Sequence, residues 1–457
     1  MADAPQEITG DQPAEQPAIL PGVEVVASRI NDSEGASTGV THKNYEIKSI
    51  TLRTENGIDI DIRLQVQRLE IYFDLFGNCS SGQFIIYDGN DLISGYVSRT
   101  DGSVAAPLAG LENLDIEIDV KVESESVETI NKLYRIDKIS KMKPSTNGSQ
   151  MYLVHFVSQP KIRSLTSKIS KSYKGEVTSN IVREICRDQL GITNLDIDST
   201  TSKHDVIIPN LRPLQAISWL ASKSYSGEED VCFFFYETND KFKFKSLQKL
   251  YDQAPKYTKP YTFGSKIVDD NAESRNPQFE IIDYTVREFD MQAALITGGI
   301  GSKMLGVDIF NQTTNIYEES FSKNIGSSLN GNLPFYDTSL VSEKYDSFYL
   351  TSNEVKDQPG VSDNDVKYTI KRAQTMAMMK HFSITIHVPG NWDLSPGDIV
   401  NVTYPKHKVT EHGKTPEQNP YRNGKFLVTA VNHVLEQGMM RTTAELCSDS
   451  LVTALPG

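Results

Sequence analysis

The sequence predicts a β-rich α+β fold in which two β-rich units bracket a small helical unit. Apolar and polar residues alternate at period two over long stretches in both the first and the last third of the chain. Between them, from near Ser164, the apolar spacing becomes helical. At roughly 150 residues per domain, 457 residues are also more than one core normally holds.

Residues 1–43 carry Pro5, Pro13, Pro17 and Pro21 and no Lys or Arg before Arg29. Such a segment does not pack alone and is expected to be an extended or disordered N-terminal arm, though Ile19–Val26 would gain by docking on a neighbour. The first β unit is placed at 44–163. There Ile58, Ile60, Ile62, Leu64 and Val66 alternate with Asp59, Asp61, Arg63, Gln65 and Gln67, which predicts one strand with five apolar side chains on a single face. Asn56-Gly57 before it is a hairpin turn signal. Leu114, Ile116, Ile118, Val120 and Val122 alternate with Asp115, Glu117, Asp119, Lys121 and Glu123, and strands follow at Leu133–Ile139 and Met151–Val157. Together they predict an antiparallel sheet closed as a barrel or a sandwich.

In the α/β unit, 164–262, Val177, Ile181, Ile185 and Leu190 fall at helical spacing, with Gly191 where a helix end needs a left-handed residue. Pro213 opens a second helix, as proline does at a first helical position. Val231–Glu237 and Phe242–Leu247 then form a hairpin through Asn239-Asp240. The second β unit is split between 263–311 and 361–457. It starts with Phe279–Glu288 and Met291–Thr297, both read as strand, and Gly298-Gly299-Ile300-Gly301 is read as a tight connection between strands. Residues 312–360 are a polar insertion rich in Ser, Asn and Asp. Ser362–Asp365 caps a helix through Ile370, Ala373, Met376 and Met379, and strands follow over Phe382–Val388, Asp398–Tyr404, Lys425–Val431 and Thr442–Leu446. Nothing in the residues shows whether the two β units are duplicates.

Sixty acidic against 46 basic residues leave a net charge of −14. That sign disfavours a phosphate-gripping groove or an anionic lipid surface as the main partner. No run of 18 apolar residues is present, and Met1–Pro5 has neither a basic nor an apolar leader pattern, so neither membrane insertion nor export by those routes is expected. Cys79, Cys186, Cys232 and Cys447 lie far apart without a C-x-x-C pair and read as free thiols. Gly298–Lys303 lacks the Gly-Lys-Ser/Thr order of a phosphate loop, and no G-x-S-x-G elbow occurs. None of the eight histidines (His42, His155, His204, His381, His387, His407, His412, His433) makes a helical metal pair. His381 and His387 would stand roughly 20 Å apart on one strand, and His407 and His412 read as loop residues in solvent. No catalytic, cofactor or metal residue is assigned. The acidic strand Asp115-x-Glu117-x-Asp119 reads as a solvated face, since like charges two apart repel.

Several segments in order resemble the central baseplate hub protein of contractile-tailed phages, the T-even-type hub related to the N-terminal part of VgrG spike proteins. They are Gly82–Asp88, Pro107–Ile116 with its Pro-x-x-Gly-x-Glu-x-Leu return, Ile208–Ala221 leading into Cys232–Glu237 and Phe242–Leu247, Arg372-Ala373, Ile384–Asn391, Leu394–Val400 and Gly424–Thr429. The structural residues this assigns are Gly82, Asp88, Pro107, Gly110, Glu112, Pro213, Trp219, Tyr236, Arg372, Gly390, Pro396, Gly397, Asp398 and Gly424. The resemblance implies two tube-like antiparallel β-barrels per chain and a homotrimer whose six barrels ring the tail axis. It also implies partners: the tail tube protein above, a central spike protein below, other baseplate proteins, and genomic DNA passing without tight binding. The protein would then be a non-enzymatic virion component, assembled in the bacterial cytoplasm, without cofactor. Asp59, Asp61, Asp115, Glu117 and Asp119 are candidates to line an acidic lumen that repels phosphate. Two other readings stand beside it. One is a hub component of a type VI-like injection machine. The other is a peptidoglycan hydrolase using Glu318, Glu319, Asp337, Glu343 or Asp346 of the insertion.

Overall fold

The computed structural model describes residues 45–53, 59–89, 97–98, 104–105, 112–121, 127–144, 150–227, 230–263, 277–287, 290–308, 311–320, 328–331, 349–353, 364–379, 382–404, 419 and 422–452. The N-terminal arm, Asn56-Gly57, Pro107, Gly110, Ser362-Asp363, His381, His407 and His412 lie outside them.

In the first β unit the period-two pattern becomes β1 (Tyr45–Arg53), β2 (Asp59–Asp61), β3 (Val66–Asp74), β4 (Ser81–Asp88), the two-residue strands β5 (Val97–Ser98) and β6 (Val104–Ala105), β7 (Asn113–Lys121), β8 (Val127–Pro144) and β9 (Gln150–Ser158). Pairing runs β1–β7–β8–β9–β4–β3, antiparallel throughout, and β2 pairs β1. Because β2 and β3 belong to one bent segment, its first part bonding β1 and its second part β4, the sheet closes on itself as a barrel. The inward residues Leu114, Ile116, Ile118, Phe84, Ile86, Val154 and Phe156 are at most 1 % exposed. Each such side chain contributes about 1.5–3 kcal/mol relative to exposure.

That bend corrects the single strand read over Ile58–Val66. The Arg63 N–H donates to Asp61 Oδ1 (2.9 Å), and the Gln65 and Val66 N–H groups both donate to the Ile62 carbonyl (3.0 and 3.2 Å). A turn therefore interrupts the alternation: Ile62 is buried and Leu64 is 83 % exposed. Closing the ring requires the corner, and the local Asx turn supplies it.

The α/β unit comprises α1 (Gln159–Thr166), β10 (Ile169–Val177), α2 (Thr178–Ile185) extended by a π-helical turn to Leu190, β11 (Leu195–Ile197), β12 (Lys203–Leu211), α3 (Pro213–Lys223), the hairpin β13 (Phe233–Glu237) with β14 (Phe242–Ser246), and α4 (Leu247–Tyr251). Gly191 ends the π turn at φ +66°, and Pro213 opens α3, both as expected. Ile181, Ile185, Leu190, Leu214, Ile217, Leu220, Phe235 and Phe244 share one core.

The second β unit begins with β15 (Tyr261–Phe263), β16 (Glu280–Ile281) and β17 (Asp283–Arg287). The next segment, read as strand, is the helix α5 (Met291–Ile296), because Asp290 caps it by accepting the Ala293 N–H at 2.9 Å. Gly298 and Gly299 accordingly join a helix to a strand rather than two strands. Strands β18 (Gly301–Asp308), β19 (Thr313–Ser320) and β20 (Tyr349–Asn353) form a separate sheet. Helix α6 (Asn364–Met379) leads into β21 (Phe382–Pro389), β22 (Ile399–Thr403), β23 (Gly424–Glu436) and β24 (Met439–Ser448). Here β15 pairs β22 and β16, β17 pairs β21, and β21–β24–β23–β22 completes a second closed ring.

The two rings have the same connectivity. Taking the strands of each in chain order, with the bent segment as the second, both rings run first–second–third–sixth–fifth–fourth and back to the first. The register agrees over the middle of the strands and departs only towards their ends, where β8 has a second bulge, between Lys141 and Pro144, that β23 lacks. Gly82 faces Phe156 and Ile71 where Ile384 faces Leu446 and Val286. Leu114 faces Tyr134 where Val400 faces Phe426. A bulge falls at Ile136/Lys138 in β8 and at the matching Val428/Ala430 in β23. One strand differs: β1 is antiparallel to both neighbours, whereas β15 is parallel to both.

Candidate assembly surface

The two barrels are joined edge to edge by strand β23. Its start, Gly424–Leu427, pairs β22, and after the bulge Ala430–Glu436 pairs Asp74–Arg68 of β3. At the crossover the Thr429 carbonyl accepts the Leu75 N–H (2.8 Å), and Thr429 Oγ1 donates to the Glu445 carbonyl (3.1 Å). The seam is filled by rings: Trp392 lies 4.5 Å from His433 and 6.1 Å from Phe73, centroid to centroid. His433 shares a hydrogen bond with Thr442 Oγ1 (3.1 Å), and burial pushes its pKa down to about 3, so it is neutral. At the rim Arg68 pairs Glu70 (2.5 Å) and Glu436 (3.9 Å), and Glu70 also accepts from Tyr72 and Gln83.

Different residues seat the α/β unit on each barrel. Against barrel one, buried Glu237 accepts the Ser80 N–H (2.8 Å) and Lys132 Nζ (3.2 Å), and Lys132 also donates to the Thr238 carbonyl (2.9 Å). Against barrel two, Asn239 donates to the Trp392 carbonyl, and fully buried Tyr236 packs under Gly397. A Cβ at Gly397 would stand 2.3 Å from the Tyr236 hydroxyl, and its φ of +86° excludes most other residues. Arg372 of α6 donates to the carbonyls of Val231 and Ser224, both at 2.7 Å.

The remaining motif residues are also structural in what they touch. Gly82 lets the Phe156 ring and the Glu70 carbonyl approach to 2.3 and 2.4 Å of where a Cβ would be. Gly390 makes the same room for Met440, and Gly424 for Val452. Asp398 accepts the Ser395 N–H (2.9 Å) and Lys256 Nζ (2.9 Å), closing the turn through buried Pro396, and burial raises its pKa although Lys256 opposes the rise. Asp88 and Glu112 are buried, and the Glu112 carbonyl accepts the Ile136 N–H at 3.1 Å. Trp219 is half-buried on α3, with Lys223 Nζ 5.5 Å from its ring.

The five acidic candidates lie together on the outer face of β2, β1 and β7, but they are more compensated than the sequence suggests. Arg53 pairs Asp59 (3.1 Å) and Asp115 (3.9 Å), Arg63 lies 3.8 Å from Asp61, and Lys48 pairs Asp119 (2.8 Å). Lys48, with Thr129, holds the Asp119 carboxyl below its usual pKa. Glu117 sits between them, half-buried, opposite Ser49 and Asn131. At the matching positions barrel two carries Asn401 and Thr403 in place of Asp115 and Glu117.

Of the hydrolase candidates, Glu318 and Glu319 are neighbours on β19 and so point to opposite faces, with Glu318 paired to Lys303 at 2.9 Å. Asp337, Glu343 and Asp346 lie outside the described residues. Part of the insertion is anchored rather than free: Asn330 donates to Ser448 Oγ (3.0 Å) and the carbonyls of Lys425 (3.0 Å) and Ser450 (3.2 Å), and accepts the Lys425 N–H (3.0 Å). Among the described residues no group of three or more His, Cys, Asp or Glu side chains is placed to hold a metal ion. No described helix is long and apolar enough to cross a membrane. Sequence reasoning missed Lys132, Glu237, Asn330 and His433. Each is a single polar residue whose role depends on a partner 9 to 157 positions away.

No family model matches the chain. The probable baseplate hub protein gp334 of Vibrio phage KVP40 is 24% identical over 429 residues, covering 90% of this chain and 96% of that protein. A tail protein from Neisseria meningitidis MC58 superposes with a TM-score of 0.52 at 14% identity, covering 89% of this chain and 97% of that one. The 43 kDa tail protein of prophage MuSo2 from Shewanella oneidensis gives 0.49 at 9%, covering 88% and 98%. Two fused strand rings carrying a small α/β unit are thus a fold this chain shares with the Neisseria tail protein. Sequence and fold together support a baseplate hub-type protein.

Proposed function

We propose that the chain is the structural, non-enzymatic hub of a contractile phage tail, acting as a homotrimer whose six barrels form a ring between the tail tube and a central spike. The observation that carries this is the repeated ring order and register. Two equivalent barrels in one chain turn three-fold symmetry into a nearly six-fold ring, the geometry needed to adapt a six-fold tube to a three-fold spike. In this reading 44–163 and, in the second β unit, β15–β17 with β21–β24 are the ring-forming parts, the rest of 164–262 is a peripheral α/β domain, 312–360 is an insertion whose strands β19 and β20 pair β18, and 1–43 is an arm. The outer face bearing Asp59, Asp61, Asp115, Glu117 and Asp119 borders the lumen, where its charge lets DNA slide past rather than bind. Other baseplate proteins meet the periphery, and the protein resides in the virion after assembly in the host cytoplasm.

Light scattering across concentration, with and without the spike protein, tests it. A species of three times 51.0 kDa, alone or on adding spike, is the expected result. A chain that stays monomeric in both conditions overturns the ring.

A further inference from the structure

The seam inside the chain is a template for a contact between chains. Strand β3 is bonded on both sides, by β4 and by β23. Its match in barrel two, β17, pairs β21 and, among the described residues, nothing on its other edge. The other half of the seam shows the same asymmetry. Ala430–Glu436 of β23 pairs both β24 and β3, whereas the matching Lys138–Pro144 of β8 pairs β9 alone among the described residues. The bulge that lets β23 leave β22 and meet β3 is present in β8 at the same register position, and among the described residues no strand takes the edge it frees. Barrel one therefore offers the half of the seam that barrel two has used, and barrel two offers the half that barrel one has used.

We propose that the outer edge of β8, Lys138–Pro144, pairs antiparallel with the outer edge of β17, Asp283–Arg287, of a second copy of this chain. Carrying the internal register across sets Ser140 opposite Arg287; past a second bulge in β8 between Lys141 and Pro144, which β23 lacks, it sets Pro144 opposite Tyr284. The contact is head-to-tail, which closes into a ring when each copy is rotated by a third of a turn, as the trimer reading requires; three copies then give three internal and three external seams. It satisfies two rows of backbone N–H and C=O groups that would otherwise invite uncontrolled pairing. It also reaches Ile282, which is 59 % exposed at the foot of β17. Pro144 lacks an N–H and sits at the end of the edge, where a missing donor costs least.

This inference rests on the trimer reading, and its test separates the two. Residues directly opposite in a sheet have Cα atoms about 5 Å apart, within disulfide reach. The full-length double variant Ser140→Cys with Arg287→Cys, mixed with the spike protein and mildly oxidised, should run on a non-reducing denaturing gel as covalent dimers and trimers. Each single variant, the parent with its four free cysteines, and the off-register pair Ser140→Cys with Asp283→Cys should remain single chains. Light scattering on the same samples completes the test. A trimer that never cross-links at these positions, or that links as well off register, overturns the seam and leaves the trimer standing. A monomer throughout overturns both.

Discussion

Barrel one and barrel two share a ring order and a register while sharing almost no side chains. Ser81 with Ser383 and Ser158 with Ser448 are matched identities among β4, β9, β21 and β24, but the inward pairs Leu114/Val400, Phe84/Ile386, Ile86/Val388, Val154/Ala444 and Ile136/Val428 keep only their apolar character. What is held constant is the backbone bonding pattern and the total volume on the inner face. Gly82 with Phe156 in one barrel occupies the place of Ile384 with Leu446 in the other, a small-plus-large pair for two medium residues. What varies is the outside. Barrel one is acidic at Asp115 and Glu117 where barrel two is neutral, and it carries Lys132, which seats the α/β unit, where barrel two has Gly424.

The sharpest way to break this equivalence is to exchange the inner pairs. Gly82→Ile should destabilise barrel one by about 3 kcal/mol or more, since its Cβ meets both a ring and a backbone carbonyl. Adding Phe156→Leu should recover only the part due to the ring. Denaturant unfolding of the three variants measures this, and full rescue would mean that the strands yield more than the packing suggests.

Removing Lys132 should cost nearly as much. Lys132→Ala leaves the buried Glu237 carboxylate with the Ser80 N–H as its remaining partner here, and breaking such a pair costs about 3–5 kcal/mol. Hydrogen exchange should show faster exchange at the Ser80 amide and in the β13–β14 hairpin, with barrel two unchanged.

The seam between the barrels predicts a moderate pH effect. His433 is neutral in the fold because burial depresses its pKa from 6.5 to about 3, while the unfolded chain takes up a proton near 6.5. The stability it permits is therefore complete above about pH 6.5 and falls as pH drops towards about 3, by at most about 1.4 kcal/mol per pH unit. His433→Gln should flatten that slope in unfolding titrations. An unchanged slope would assign the acid sensitivity to other groups.

The smallest effect is expected on the acidic face. Converting barrel one to the barrel-two residues with Asp115→Asn and Glu117→Thr should leave the unfolding midpoint essentially unmoved, because surface pairs contribute little. If the face borders a DNA path, the assembled double variant should retain more DNA at low salt and lose the excess as salt is raised.

Much of the architecture was legible in the residues because its signals are local. Alternation in Leu114–Val120, the αL glycine at 191, Pro213 at a first helical position and the Asn239-Asp240 hairpin each depend on neighbours a few positions away. Where local signals competed, the reading failed. Five alternating apolar residues over Ile58–Val66 looked like one strand until ring closure demanded a corner at Arg63, and Met291–Ile296 is helical because Asp290 caps it. The sequence by itself determined the β-rich class, the central helical unit and which faces are apolar, since these follow from periodicity and turn chemistry. Only the tertiary structure decided that both β units close in the same order and register, that β23 fuses them, and that Lys132, Glu237 and His433 matter. Strand pairing is made by backbone groups that every residue carries, so the pattern leaves no mark in the order of the side chains.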